Sequence, residues 1–176
     1  MQTNAQPDRR ASVDPTGEFP FAVTDYVLHL VAAIDQFRDS ALDHAMREFG
    51  LNTGRYRVLG VLNRFGVCSM TELANYTAMD RTTLTRVADH LVANNLAERR
   101  EDPKDRRHVL LEMTEAGKGV YLKALAVVFE LNTRLLDGVP ESGRRAAARV
   151  LRQVVHNLAP NTTARDSIIR FSRDEG

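Results

Sequence analysis

Residues 69–113, SMTELANYTAMDRTTLTRVADHLVANNLAERREDPKDRRHVLLEM, decide the fold. Ser69 and Glu72 stand three apart ahead of an apolar run. In that spacing a serine side chain caps the third helical amide and the glutamate reaches back to the serine amide. The spacing predicts a short helix from Met70 to about Tyr76. Asp80 caps a second helix, on which Leu84, Val87, Ala88, Leu91 and Val92 recur at three and four residues as one apolar stripe. Asn94 and Asn95 end it. Two short helices across a tight turn, at about Thr77 to Met79, make a helix-turn-helix. Leu96 to Arg100 and His108 to Met113 then read as strands, and the polar loop between them, with Pro103, makes a β-hairpin with an extended tip. A hairpin directly behind a helix-turn-helix is a winged helix.

Working outward, Val27, Leu30, Val31, Ile34, Phe37, Ala41 and Ala45 predict a long helix starting near Phe21 and stopped by Gly50. Asn52 or Thr53 caps the next helix, which carries Val58, Leu59, Leu62 and Phe65 and ends at Gly66. Downstream, Thr114 caps a long helix to about Asp137, with Tyr121, Leu125, Val128, Phe129, Leu135 and Leu136 on one side. Gly138 breaks it, and Pro140 opens a last helix bearing Ala147, Val150, Leu151, Val154, Val155 and Leu158. Residues 1–20, with Pro7, Pro15, Pro20 and Gly17, read as a flexible arm, and residues 160–176 as a polar tail. The expected class is mainly α with a small β-hairpin wing. A winged helix-turn-helix lobe occupies 51–113, and 21–50 with 114–159 form a helical dimerisation region. The terminal helices are too apolar to leave in water, and the central lobe is too small to cover both.

Composition bounds the chemistry. The 176 residues are 43% hydrophobic and 27% charged, an ordinary soluble mixture. With 24 Lys and Arg against 23 Asp and Glu, the net charge of +1 excludes a protein that holds nucleic acid by bulk charge. The sum hides a distribution: residues 1–50 carry a net −4, 51–113 a net +2 and 114–176 a net +3. The single cysteine excludes a disulfide framework and a cysteine-rich zinc site. His29, His44, His90, His108 and His156 show no metal-ligand spacing, so neither a metal nor a cofactor is expected. No Gly-rich phosphate loop or Gly-x-Ser-x-Gly elbow appears, which argues against an enzyme. No apolar run approaches the roughly 18 residues of a membrane span. Without a secretory signal, the expected address is the cytoplasm.

The outer face of the second helix of the helix-turn-helix carries Arg81, Thr82, Thr83, Thr85, Arg86 and Asp89. Short hydroxyl side chains let a helix approach a major groove closely, and arginine adds a fork suited to guanine or phosphate. In the hairpin loop, Asp105 stands beside Arg106 and two before Arg107, where a carboxylate can hold an arginine extended for a minor groove. Solvation of an exposed face explains either group taken singly; helix and loop together point to DNA.

These residues carry a resemblance. Met70 to Ala74, Asp80 to Arg86 and the run from Asn95 to Gly117 are similar to the MarR family of bacterial winged-helix regulators, over roughly residues 22–159. The most specific parts are Asp102 to Arg107 and the Met-Thr-Glu-Ala-Gly that follows at 113–117. The resemblance implies a homodimer built by the first and last two helices, reading a pseudo-palindromic operator in double-stranded DNA. It places the helix of residues 80–94 in the major groove and the wing in the minor groove. Arg86 matches the recognition-helix arginine and Arg107 the wing arginine, supported by Asp105; Lys104 and Arg106 flank them. It also implies a repressor released by a small aromatic acid or phenol bound in a crevice. There His29, Phe37, Arg38, Tyr56 and Arg57 are the candidates for aromatic walls and a carboxylate partner, with core packing as the bland alternative. A larger effector, an aromatic acyl-CoA thioester, is accommodated if arginines of the 144–152 face meet its phosphates. Two other readings stay open: a winged-helix module for protein contacts, and a redox-responsive regulator using Cys68.

Overall fold

The computed structural model describes residues 23–103, 109–158 and 162–172. The expected arm lies outside the described residues. The backbone falls into two compact units, residues 1–38 and 39–176. The described part of the first unit is the start of helix α1 (Val23–Met46), where Leu30, Ile34 and Phe37 are exposed, Phe37 to 73%.

The second unit takes in the end of α1, a 3-10 turn (Arg47–Phe49), α2 (Thr53–Phe65), strand β1 (Cys68–Ser69), α3 (Met70–Thr77) and α4 (Arg81–Ala93). Strands β2 (Ala97–Glu101) and β3 (Val109–Met113) follow, then α5 (Glu115–Leu135), α6 (Glu141–Leu158) and α7 (Thr162–Phe171). The expected punctuation is realised. Gly50, at φ 67°, returns its amide to the Arg47 carbonyl. Asn52, rather than Thr53, caps α2 by accepting from the Arg55 amide at 2.9 Å. Thr53 is buried instead and donates its hydroxyl to Asp43 Oδ1 at 2.7 Å, pinning α2 to α1. The Ser69–Glu72 capping box, the Asp80 cap and the Thr114 cap all form.

The core gathers around α2, which packs against α3, α4, α5 and β3. Leu59, Leu73, Leu84, Leu91 and Leu111 are fully buried in it, together with Leu42 and Met46 from the end of α1. Each such side chain contributes roughly 1.5–3 kcal/mol relative to exposure. Of the stripe read on α4, Leu84, Val87, Ala88 and Leu91 are buried and Val92 is half-buried.

Three features differ from the sequence expectation. The hairpin is part of a three-stranded antiparallel sheet in the order β1-β3-β2. The extra strand is only two residues, pairing Cys68 with Leu111 and Ser69 with Leu110. It forms because the chain between Gly66 and the extended N-cap Ser69 runs beside β3. Second, the single stripe read on α5 divides: Tyr121 and Val128 face the core with Gly117 and Ala124, while Leu125, Phe129, Leu135 and Leu136 are exposed. Each step of four residues advances about 40° around a helix of 3.6 residues per turn, so Leu125 and Phe129 lie progressively off the narrow arc shared by Gly117, Tyr121, Ala124 and Val128. Third, the segment read as a polar tail contains α7. Its average polarity concealed Ala164, Ile168 and Phe171, which four- and three-residue steps bring to one side.

A close approach locks the wing base to α5. A Cβ on Gly117 would sit 1.9 Å from the Leu96 carbonyl oxygen. Beside it, Thr114 donates its hydroxyl to the Asn95 carbonyl at 2.7 Å and its amide to the Leu96 carbonyl at 3.2 Å.

Candidate nucleic-acid interface

The outward face of α4 is set by its core face. With Leu84, Val87, Ala88 and Leu91 buried, the 100° step per residue leaves Arg81, Thr82, Thr83, Thr85 and Arg86 exposed. The helix enters from a turn at 78–80 in which Ala78 adopts φ 56°, a left-handed conformation that costs a non-glycine residue about 1–2 kcal/mol. Leu73 on α3 and Leu84 on α4, both fully buried, fix the two helices against each other.

Local hydrogen bonds sort the hydroxyls. Thr83 donates its amide to Asp80 Oδ1 at 2.9 Å and its hydroxyl to Asp80 Oδ2 at 2.6 Å. Thr85 donates its hydroxyl to the Arg81 carbonyl at 2.8 Å. Both threonine protons are thus engaged within the helix, leaving oxygen lone pairs outward. The side chains of Arg81, Thr82 and Arg86 have no partner among the described residues. The two carboxylates nearby are occupied. Hydrogen bonds from Thr83 hold the Asp80 carboxyl below the usual carboxylate range, and Asp89 pairs with Arg99. The positive charge of Arg81 and Arg86 is therefore not cancelled by the acids on their own face.

Arg99 is the residue that sequence reasoning missed. From β2 it reaches back to α4 and ties the wing strand to the recognition-helix candidate. The signal was faint: an arginine and an aspartate ten apart, facing each other only once the turn at Asn95, φ 56°, is made. Next to it Arg100 lies 2.7 Å from Glu98 and 2.7 Å from Glu112, and these partners raise its pKa further, Glu98 foremost. Lys104, Asp105, Arg106 and Arg107 lie outside the described residues.

The effector candidates fall in different parts of the chain. His29 and Phe37 are exposed and Arg38 is half-buried, all in the first unit. In the second unit, Tyr56 stacks on Tyr121 with ring centroids 5.4 Å apart. Burial raises the Tyr121 pKa, partly offset by its hydrogen bond with Tyr56. Arg57 lies 3.1 Å from Asp39, so a carboxylate ligand would compete with Asp39 for it. On α6, Arg144, Arg145, Arg149 and Arg152 line an open depression of about 690 Å³ with Glu141 and Ser172. Arg144 is committed to the carbonyls of Leu136 and Val139, and Arg145 pairs with Glu141.

Cys68 is buried, and burial followed by the charge of Glu72 pushes its thiol up to about 11. Almost none is thiolate near neutral pH, which suits a packing role rather than a reactive one. Among the described residues, no group of three or more His, Cys, Asp or Glu could hold a metal ion, and no helix is long and apolar enough to cross a membrane.

Comparison with known proteins agrees with this geometry. The MarR family model matches residues 49–108, from the end of the 3-10 turn to the residue before β3. The chain is 29% identical over 133 residues to the HTH-type transcriptional repressor NicR of Pseudomonas putida, covering 76% of this chain and 84% of NicR. It is 25% identical over 145 residues to the HTH-type transcriptional repressor IacR of Pseudomonas putida, covering 82% of this chain and 86% of IacR. Among solved structures it resembles Bordetella bronchiseptica BpsR, whose DNA binding is regulated by 6-hydroxynicotinic acid. That match has a TM-score of 0.67 and 26% identity, covering 73% of this chain and 98% of BpsR. NicR and IacR are HTH-type transcriptional repressors, and BpsR is a DNA-binding protein. With the same order of helix-turn-helix and wing, the chain is similar to the MarR family of winged helix-turn-helix transcriptional regulators.

Proposed function

We propose that this regulator is a homodimeric repressor that binds a pseudo-palindromic operator and is released by a small aromatic acid or phenol. The observation that carries the DNA part is the outward face of α4. Arg81, Thr82 and Arg86 stand exposed on a helix whose opposite face is buried, and the neighbouring carboxylates are already bonded. Arg86 serves as the base-reading fork, Arg81 and the threonines Thr82, Thr83 and Thr85 meet phosphates and base edges, and Lys104 to Arg107 form the minor-groove arm. A polar, arginine-bearing face favours nucleic acid over a protein-contact module, which would present apolar side chains.

The dimer is supported by the apolar surface left over in each unit. Ile34 and Phe37 on α1, Phe129 on α5 at 72% exposure, and Leu158 on α6 at 70% are large apolar side chains left mostly uncovered by the described residues. A second copy covers such surface at a favourable free energy of about 25 cal/mol per Å². The dimerisation region is accordingly 21–50 with 114–159, and the DNA lobe is 51–113.

The aromatic effector class is supported by the 6-hydroxynicotinic acid response of BpsR and by the Tyr56–Tyr121 stack. One observation favours a second reading, an aromatic acyl-CoA thioester. The open depression on α6 presents Arg149 to phosphates, beside Arg152, which also donates to the Ser172 carbonyl. Both readings are tested by titrating the complex with DNA from upstream of the protein's own gene with aromatic acids, phenols and their CoA thioesters. Release by an acid that survives Arg149→Gln identifies the first. Release by a thioester that is lost in Arg149→Gln identifies the second. No release by any of them contradicts the ligand-responsive reading.

A further inference from the structure

We propose that α7 is a strap that positions α3, and through it the recognition helix, with Phe171 and Arg64 as positioning residues for DNA binding. The proposal rests on the DNA-binding reading of α4. It starts from how little α3 has of its own. The helix has eight residues and a single buried one, Leu73. A helix that short takes its stability from what packs on it. Its inner side meets α2 and α4, and a second side is covered by α7.

The contact is an ordered aromatic and cationic cluster. Phe65, the last residue of α2, stacks on Tyr76 of α3 with centroids 4.3 Å apart and planes 17° apart. Phe171, at the end of α7, lies against the same Phe65 at 6.4 Å. The Arg64 guanidinium sits 5.6 Å from the centroids of both phenylalanines, and Arg170 lies 5.4 Å from that of Phe65. Arg64 also donates from Nη1 to the Phe171 carbonyl at 3.0 Å. That bond lets Arg64 serve as a C-terminal cap of α7 while its charge faces two rings.

The other end of the linkage is α6. Arg152 Nη1 approaches the Ser172 carbonyl at 3.4 Å, and α7 packs on α6 as well as on α3. The same ten-residue helix therefore touches the helix proposed for dimerisation and the first helix of the helix-turn-helix. Since α3 packs on α4, a shift of α3 moves the Arg81–Arg86 face relative to the partner lobe.

The test uses the full chain as wild type, Phe171→Ala, Phe171→Tyr and Arg64→Gln. Phe171 is 38% exposed and Arg64 is on the surface, so these changes leave the α2–α4–α5 core intact. Amide exchange in residues 70–77 and affinity for DNA from upstream of the gene are measured across a salt series. The expected result is exchange in α3 about tenfold faster in Phe171→Ala and Arg64→Gln, with α5 unchanged and Phe171→Tyr near wild type. DNA affinity falls by about fivefold or more with the same salt slope, because a positioning residue releases no counterions. Unchanged α3 exchange overturns the strap whether or not DNA binds. Faster exchange with unchanged affinity makes the contact structural only and overturns the positioning role. A shallower salt slope in Arg64→Gln assigns Arg64 to a phosphate and also overturns it. If wild type binds no DNA, the reading of α4 fails, and the positioning role fails with it while the exchange data still report the contact.

Discussion

Gly117 is where one missing methyl group decides the geometry of the lobe. Its neighbour is backbone, the Leu96 carbonyl, which cannot rotate away from an added Cβ at 1.9 Å. Gly117→Ala should therefore lower stability by about 3 kcal/mol, seen as a lower Tm and denaturant midpoint. Gly119 lies two residues along the same helix, and an added methyl group there would meet nothing within 4 Å. Gly119→Ala should stabilise by about 0.5–1 kcal/mol through helix propensity and chain entropy. Equal losses in both variants would mean that α5 is sensitive to any side chain there rather than to the Leu96 contact. The residue scale is also where sequence reading was weakest. Arg64, Arg99 and Phe171 take their meaning from partners brought near by tertiary structure.

At the scale of elements, caps and breakers did most to define the lobe. Ser69, Asp80 and Thr114 each satisfy an amide at a helix start, and Gly50, Gly66 and Gly138 take positive φ at helix ends. These signals are local, so they were legible without the fold. Ser69→Ala should cost about 1 kcal/mol of stability by removing the hydroxyl oxygen that accepts from the Glu72 amide, while the backbone amide at 69 can still donate to Glu72. Asp80 adds a pH signature. Its folded pKa lies below its unfolded value because Thr83 bonds to the ionised form. Its stabilising contribution is therefore fully present above the unfolded pKa and lost as pH falls through the folded one. Acid titration of stability for wild type and Asp80→Asn should diverge above the carboxylate range and converge below it; parallel curves would deny Asp80 that role. What escaped the element reading was the strand Cys68–Ser69, too short for alternation to show, and α7, whose apolar face is diluted by polar neighbours.

At the scale of the whole molecule, the pattern of leftover apolar surface is what the proposed dimer would cover. The sequence showed that α1, α5 and α6 were too apolar for solvent, yet the division of α5 into a buried and an exposed face needed the structure. Phe129→Glu should convert a dimer to a monomer in sedimentation equilibrium while the helix content stays near wild type. A wild-type monomer at micromolar concentration would remove the proposed dimer. Near-zero net charge is compatible with DNA binding because the α4 arginines are local and the nearby acids are engaged. The central claim is that this α4 face reads DNA. It is tested most directly by anisotropy titration of wild type and Arg86→Ala against a duplex from upstream of the gene and a scrambled duplex, from about 50 to 200 mM salt. The account predicts preferential binding of the upstream duplex by wild type and a loss of about 1–3 kcal/mol in Arg86→Ala. Equal affinity for both duplexes, or an Arg86→Ala curve that overlays wild type, would contradict it.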